Sequence, residues 1–192
     1  FFQDKNKNFI IQGNKIKYNK LKDYLYSYGD TKINLNNKNI INSKNINYDR
    51  SKEILYGNYK TIIKDEEKNI FNLKDTFIFN IKDEVLKSKN SKITDKNENE
   101  YIFEDLIIDL KRNQIAGNEI KINFNKSYFG NEKNDPILKG RSSYSTDEEL
   151  KVYKAVFSTC NIKNKKCRGW ELNTDEFNHD KTKKIFEYRK SW

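Results

Sequence analysis

The side chains with the greatest chemical potential lie near the C-terminal end of the sequence. They are the two cysteines, Cys160 and Cys167, and the single histidine, His179, which precedes Asp180. Two cysteines cannot complete a tetrahedral zinc site, and adding His179 and Asp180 gives a spacing unlike a zinc finger. The pair is also not the Cys-x-x-Cys motif of thiol exchange. If the protein is exported, we expect a disulfide, either between these cysteines or with a cysteine outside this sequence.

The remaining polar residues give no catalytic pattern. His179 has no serine or cysteine nucleophile nearby in the sequence, and Asp180 begins a polar stretch typical of a hairpin turn. The carboxylate pairs Glu66-Glu67 and Glu148-Glu149 lie in polar stretches, where solvated faces are the default. The sequence has no glycine-rich phosphate loop, paired-acid signature or HExxH motif. We therefore predict a protein that is not an enzyme and that uses no metal and no cofactor.

The composition predicts an all-β fold. Of 192 residues, 12 are tyrosine, 12 phenylalanine and 2 tryptophan, whereas alanine occurs only at Ala116 and Ala155 and methionine is absent. Aromatic and β-branched side chains suit a pleated, half-buried surface, and helical proteins use far more alanine and leucine. No apolar run approaches the ~18 residues of a membrane-spanning helix. The length fits one domain of ordinary size.

The net charge is +10, from 38 basic and 28 acidic residues. Such a charge is compatible with binding to nucleic acid or to an anionic lipid surface. However, the sequence has 33 lysines against 5 arginines and is also rich in asparagine, isoleucine and tyrosine. This pattern favours a general bias in composition over a dedicated binding surface.

An internal repeat organises the first part of the chain. Residues 10–26 and 40–56 share seven of 17 positions at an offset of 30, and weaker copies occur at 79–88 and 115–118. Repeats of this length indicate stacked supersecondary units. Each unit reads as two alternating strands of about 10–12 residues joined by a polar turn. The predicted turns are 19–23, 49–53, 81–84 and 111–114.

Stacked hairpins with one apolar face form an apolar trough, which must close, be covered, or hold an apolar ligand. The residues predicted to line the trough alternate along the strands. The alternation alone does not fix which of the two alternating sets of residues faces inward. The predicted lining residues are Ile16, Tyr18, Ile33, Leu35, Ile46, Tyr48, Ile62, Phe77, Phe79, Phe103 and Ile122. The repeats are expected over residues 1–128. Residues 129–192 are expected to hold a loop at 129–146, a strand within 147–159 and the end of the sheet.

The C-terminal third resembles a known family. The matching segments are Asn134-Asp-Pro-Ile-Leu-Lys-Gly-Arg141, Val156-Phe-Ser-Thr-Cys160, Cys167, Trp170, Asn178-His-Asp180 and Lys184-Ile-Phe-Glu-Tyr188. Their order is similar to the end of the periplasmic domain of the LptD family, the outer-membrane lipopolysaccharide-assembly proteins once called organic solvent tolerance proteins. The rhythm at Tyr48–Asn58 resembles the OstA-type repeat of that family. The resemblance is strong from residue 134 and loose before it.

The resemblance implies a β-jellyroll of stacked V-shaped antiparallel strands whose interior carries the acyl chains of lipopolysaccharide. It also implies a place at the periplasmic face of the outer membrane. The periplasmic bridge protein LptA would dock on an unpaired first strand, for which the region Phe9–Tyr18 is the candidate. The jellyroll would feed a C-terminal β-barrel plugged by the lipoprotein LptE. By position, Cys160 and Cys167 are the counterparts of the family's disulfide cysteines. The barrel lies outside this sequence, and we expect both ends to be truncated.

Two alternatives come from different functional classes. A basic, β-rich module could bind nucleic acid, with exposed aromatic rings between lysines. A structural or adhesive repeat protein would have a closed core and no ligand. An interior without a cavity would favour the structural alternative.

Overall fold

The computed structural model describes residues 1–4, 9–35, 38–125, 136–159 and 170–192, and these residues form sixteen β-strands and no helix. The predicted all-β fold is confirmed. The strands are β1 (Phe2–Asp4), β2 (Phe9–Asn19), β3 (Tyr24–Leu35), β4 (Asn39–Lys44), β5 (Asn47–Asp49), β6 (Ile54–Gly57), β7 (Thr61–Lys64) and β8 (Ile70–Leu73). They continue with β9 (Phe77–Asn80), β10 (Val85–Thr94), β11 (Glu100–Asp109), β12 (Gln114–Asn123), β13 (Ile137–Ser145), β14 (Glu149–Ser158), β15 (Leu172–Asp180) and β16 (Ile185–Ser191).

All sixteen strands belong to one antiparallel sheet with two arms. Long strands such as β3 and β10 run through both arms. Strands β5, β6 and β9 lie only in the first arm, and β4, β7 and β8 lie only in the second arm. Hydrogen bonds therefore follow a closed circuit, β3-β4-β7-β8-β10-β9-β6-β5-β3. On either side of this circuit the sheet continues to β1 and β2 at one end and to β16 at the other.

Each long strand bends at its middle. In the β10–β11 pair, Lys89 faces Asp105 and Ser91 faces Phe103, while Asn90 between them has left-handed backbone, with φ of 47°. The ladder resumes in the same register beyond the gap, but Lys89 and Asn90 are both exposed, so the inward positions of β10 change from Leu86 and Ser88 to Ser91 and Ile93. Positive φ recurs in β3, β10, β12, β14 and β16, and between β4 and β5; the residues are Gly29, Asn45, Asn90, Glu119, Lys154 and Lys190. The bends line up across the sheet and give the strands their V shape.

Small side chains occupy the inside of the bends, because the two arms converge there. Ser27 and Thr31 flank the bend of β3 and are joined by a 2.7 Å hydrogen bond between their hydroxyls. The hydroxyls of Ser43 and Thr61 make the same contact at 2.6 Å between β4 and β7. These buried hydroxyls bond each other, so their burial leaves no polar atom unpaired there. At Gly117, an added Cβ would lie 2.3 Å from the ring of Phe103.

The turns at the tip of the first arm share one chemistry. Asn19, Asp49, Asn80, Asp109 and Asp180 each begin a turn, and each accepts a backbone N–H two or three residues later through its side-chain oxygen. Such turns are typical of asparagine and aspartate. The four turns predicted from the repeat are confirmed.

The repeat also extends to the tip of the second arm. Asp65 binds the backbone and side chain of Asn69, and Asp95 binds Asn99 in the same way, 30 residues later. The unit of 30 residues is therefore one pair of V-shaped strands with a turn at each arm tip.

Two sequence expectations were wrong. Residues 137–145 form strand β13 rather than a loop, because Gly140 allows close approach to Val152, whose Cγ1 would lie 2.2 Å from an added Cβ. Pro136 comes just before the strand, where a missing N–H is tolerated.

In residues 39–80 the expected long strands are each divided in two at the bend. The expected strand within 147–159 is confirmed as β14. The division of the chain at residue 128 stays a prediction.

We predict that replacing Gly29 by alanine lowers the free energy of unfolding by about 1–3 kcal/mol, since its φ of 73° strains any residue with a Cβ. Exposed Glu119 is the control, because it already has left-handed backbone with φ of 47°. Glu119→Gly should change the free energy by about 0.5 kcal/mol or less, because relief of strain offsets added chain entropy. Urea unfolding measures both. If both variants lose the same free energy of unfolding, the left-handed backbone at Gly29 is not what the bend requires.

Candidate functional site

The inner face of the sheet is a single apolar surface that the two arms enclose. Its fully buried members come from both arms and include Phe9, Ile11, Ile33 and Ile41 in the second arm and Leu25, Tyr48, Leu55 and Phe177 in the first. They belong to one connected core that runs the length of the sheet. Burial of apolar area at about 25 cal/mol per Å² makes this face the main stabilising element of the fold.

The arms touch each other directly. At the C-terminal end, the rings of Phe124 in the second arm and Phe186 in the first are 6.2 Å apart. Near the middle, a space of about 10 Å³ is lined from one arm by Leu35 and Phe71 and from the other by Phe79 and Ile108. A space of this size holds about one water molecule. The apolar interior is therefore closed in this conformation.

Ten of the eleven residues predicted to line the trough lie on the inner face. Residues opposite each other across an antiparallel pair share a face, so Ile16, opposite Ser27, and Tyr18, opposite Leu25, both point inward at the end of the sheet. Tyr18 is nevertheless exposed and Ile16 is half-buried, because β2 is not covered there. The other eight are buried: Ile33, Leu35, Ile46, Tyr48, Phe77, Phe79, Phe103 and Ile122. Contact of any of them with a lipid stays a prediction.

Ile62 is a correction to the predicted lining. Its neighbours Thr61 and Ile63 point inward, so Ile62 points outward, opposite Asn42. In the sequence Thr61-Ile62-Ile63 two isoleucines are adjacent, and a run without alternation does not indicate parity.

The first strand of the sheet also differs from the prediction. Strand β1 covers part of the candidate docking edge, pairing Phe2, Gln3 and Asp4 with Ile11, Ile10 and Phe9. From Gln12 to Asn19 the outer edge of β2 has no strand partner among the described residues. The unpaired edge is therefore shorter than the predicted region Phe9–Tyr18.

An aromatic cluster closes the N-terminal end of the interior, and the sequence analysis did not find it. The ring of Phe2 lies 6.2 Å from that of Phe9 in the second arm and 6.5 Å from that of Tyr48 in the first. The guanidinium of Arg50 lies 5.8 Å from the centre of the Phe2 ring. Phe2 therefore bridges both arms, with Arg50 over it.

Arg50 is held in place by polar contacts of the first arm. Its Nη1 donates to Asp23 Oδ1 at 2.9 Å and to the Tyr18 hydroxyl at 3.0 Å. The hydrogen bond to Tyr18, together with the charge of Asp23, raises the pKa of Arg50. The Tyr18 hydroxyl therefore helps to hold Arg50 at the end of the sheet.

Tyr48 is the largest fully buried side chain. Its hydroxyl oxygen has no hydrogen-bond partner among the described residues. Burial, and secondarily the charge of Asp4, raises the pKa of Tyr48 to about 12. The phenol is therefore neutral and serves as a core aromatic ring.

His179 is a core residue of the C-terminal hairpin. Its ring lies 4.6 Å from that of Phe186 and opposite Leu150 on the inner face. Burial, and secondarily the charge of Lys181, lowers the pKa of His179 to about 4. Asp180 points to its own turn, where Lys183 N–H donates to it and lowers its pKa. The two residues therefore form no catalytic dyad.

The remaining candidate residues give no further site. Cys160 and Cys167 lie outside the described residues. Within the described ranges, no group of three histidine, cysteine or acidic side chains is placed to hold a metal ion. Those ranges also contain no helix able to cross a membrane.

Comparisons with known proteins find likeness at the level of structure and not of sequence. No family model and no curated sequence matches the chain. A solved structure that it resembles is that of LptH, the LptA-homologous periplasmic component of the lipopolysaccharide transport device of Pseudomonas aeruginosa. The TM-score is 0.47 with 10% sequence identity, over 55% of this chain and 78% of that chain. A likeness of this size is too low to support a shared function.

We predict that Tyr48→Phe leaves the free energy of unfolding unchanged or raises it by about 1 kcal/mol, because it removes a buried hydroxyl without a partner. The matched control is Tyr101→Phe, which removes a 3.0 Å hydrogen bond from its hydroxyl to Asp95. This control should lose about 0.5–1.5 kcal/mol. Urea unfolding compares the two, and a larger loss at Tyr48 would contradict the assignment.

We also predict a loss of stability in mild acid that depends on His179. The unfolded chain takes up a proton near the ordinary pKa of 6.5, whereas the folded ring resists protonation down to about 4. Stability is therefore full above pH 6.5 and falls as the pH is lowered. Between pH 7.5 and 5 the loss should be about 1–2 kcal/mol, reduced by partial solvent screening. His179→Gln should flatten this dependence in urea unfolding, and an unchanged slope would assign it to other groups.

Proposed function

We propose that this chain shields the acyl chains of lipopolysaccharide between the two arms of its sheet. The observation that carries the proposal is the continuous apolar inner face, which extends across the sheet between two terminal edges. Each CH₂ group moved from water to such a face gains about 0.8 kcal/mol. No catalytic constellation is needed for this role, and we propose that the protein is not an enzyme.

Loading requires the arms to separate, because the space between them is only about 10 Å³. The bends make this separation feasible. Backbone hydrogen bonds run between neighbouring strands, and the contacts between opposed arms are side-chain contacts, as between Phe124 and Phe186. Opening the V therefore breaks apolar contacts that an acyl chain then replaces. Sugars and phosphates of the lipid would remain in water, where lysines are abundant.

A more specific proposal rests on the family resemblance at residues 134–188. In this proposal the chain is the periplasmic part of an outer-membrane assembly protein of the LptD type. LptA would add its sheet to the unpaired edge of β2, from Gln12 to Asn19, in the manner of β-strand addition. The lipid would leave towards a barrel with LptE at the end that carries β16.

Photocrosslinking tests the proposal at two adjacent residues. Phe79 is 3% exposed on the inner face, and Ile78 is 45% exposed on the outer face of the same strand. A benzophenone amino acid replaces each in turn, and the purified protein is irradiated with lipopolysaccharide. We expect crosslinks from position 79 and few from position 78, because acyl chains enter only between the arms. Thermal unfolding confirms that both variants fold.

A second inner and outer pair, at Ile122 and Lys121 of β12, guards against local disruption at Phe79. Crosslinks at the outer positions alone, or equal crosslinks at both faces, would contradict binding between the arms. A free fatty acid should compete at the inner positions if acyl chains are what binds.

A second candidate is a structural β-repeat protein without a ligand. The closed interior favours it, since arms in contact need no guest for stability. This candidate predicts no crosslink at either inner position and an unfolding temperature that lipopolysaccharide does not change. The same two experiments therefore decide between the candidates.

A further inference from the structure

The outer face of the second arm has a cleft of about 850 Å³ near the N-terminal end of the sheet. Four of its residues are direct cross-strand neighbours on β2, β3, β4 and β7, namely Gln12, Lys32, Asn42 and Ile62. They point outward because Ile11, Ile33, Ile41 and Ile63 point into the core. The lining also includes Asp30, Lys44, Tyr59 and Lys60. The volume falls in the range of about 300–1,000 Å³ common for ligand sites.

The polar groups of this cleft are poorly engaged. Within the described parts of the chain, Gln12, Asn42, Lys32 and Lys60 have no side-chain hydrogen bond or ion pair. An ionic contact in the cleft joins Lys44 Nζ and Asp30 Oδ1 at 3.6 Å. Ion pairs elsewhere range from 2.6 Å for Lys154–Asp175 to 3.9 Å for Lys96–Glu67. The cleft thus collects amides and ammonium groups that are available to a ligand.

Tyr59 supplies an aromatic surface at the same place. It lies between β6 and β7 and is 49% exposed. Its backbone oxygen accepts a 2.8 Å hydrogen bond from the Thr61 hydroxyl, and that hydroxyl also contacts Ser43. The main chain that carries the ring is therefore tied to the bend. With half-buried Ile62, the ring gives the cleft an apolar patch among polar groups.

We propose that this cleft binds an acidic oligosaccharide. A tyrosine ring can cover the C–H face of a sugar ring, and the amides of Gln12 and Asn42 can each donate and accept at hydroxyl groups. The Asp30 carboxylate accepts from further hydroxyls. Lys32, Lys44 and Lys60 place three positive charges beside it, and these select a sugar with a carboxylate, phosphate or sulfate group.

Other ligand classes fit less well. The cleft faces away from the apolar interior, so an acyl chain would gain little there. Single-stranded nucleic acid stacks successive bases on several rings, whereas Tyr59 is the one aromatic side chain among the described residues that line the cleft. The proposal does not depend on lipid binding between the arms, because it concerns the opposite face of the sheet.

Isothermal titration calorimetry at low salt tests the proposal with tetragalacturonate, maltotetraose and inorganic phosphate. We expect the acidic tetrasaccharide to bind and the neutral one to bind at least tenfold more weakly. Tyr59→Ala should weaken binding about tenfold, and Lys60→Gln about threefold with a smaller salt dependence. Thermal unfolding confirms that each variant folds.

Two control variants lie on the outer face away from the cleft. The first is Tyr153→Ala, at a residue of β14 that is 40% exposed, and the second is Lys87→Gln, at an exposed residue of β10. Neither variant should change the affinity for the acidic tetrasaccharide. Absence of binding by both tetrasaccharides would overturn the proposal. If inorganic phosphate binds as tightly as the acidic tetrasaccharide, the cleft is a general anion site and the oligosaccharide proposal is wrong. If oligothymidylate binds more tightly than the acidic tetrasaccharide and Tyr59→Ala weakens that binding, the cleft is a nucleic-acid site and the sugar proposal is wrong.

Discussion

The bend at the middle of each strand is the constraint on which the molecule depends. A flat antiparallel sheet of these strands would expose an apolar face along its whole length, which is an aggregation hazard. Because every strand bends at the same level, one half of the face covers the other half. The bend uses left-handed backbone in several strands, as at Gly29 and Asn90, and small side chains on its inside, as at Ser27 and Thr31. These requirements are local, but they fix the global shape.

The closed circuit of strands surrounds the place where strands are interrupted at the bend. In residues 39–80 the strands are interrupted at the bend, and the two arms are then joined through β3 and β10. The N-terminal end is closed by Phe2 between Phe9 and Tyr48. The C-terminal end has half-buried Phe186 and Tyr188 on its last strand. Different aromatic residues therefore cover the two ends of the interior.

The sequence predicted the strands and turns well because both have local signals. Alternation marks a half-buried strand, and the Asn19 and Asp49 turns bond their own backbone. The V shape came only from the family resemblance and not from the residue pattern, since a left-handed residue such as Lys154 or Glu119 has no distinctive side chain. The inward orientation predicted for the lining residues agrees with the structure where alternation was clear and differs from it at Ile62, where it was not. Their role in binding a lipid stays a prediction. Clusters such as Phe2 with Arg50 join distant residues, and no short-range pattern reveals them.

The same register produces both candidate sites. Side chains alternate between faces along a strand, so the row that buries Ile33 and Ile41 inward must present Lys32 and Asn42 outward. A slip of one residue would place lysines in the core and isoleucines in water, at a cost of several kcal/mol for each buried charge. The bends prevent such a slip, because a left-handed residue and its small neighbours fit at only one level. An apolar interior and a polar cleft on its outer surface are therefore two consequences of one pairing register.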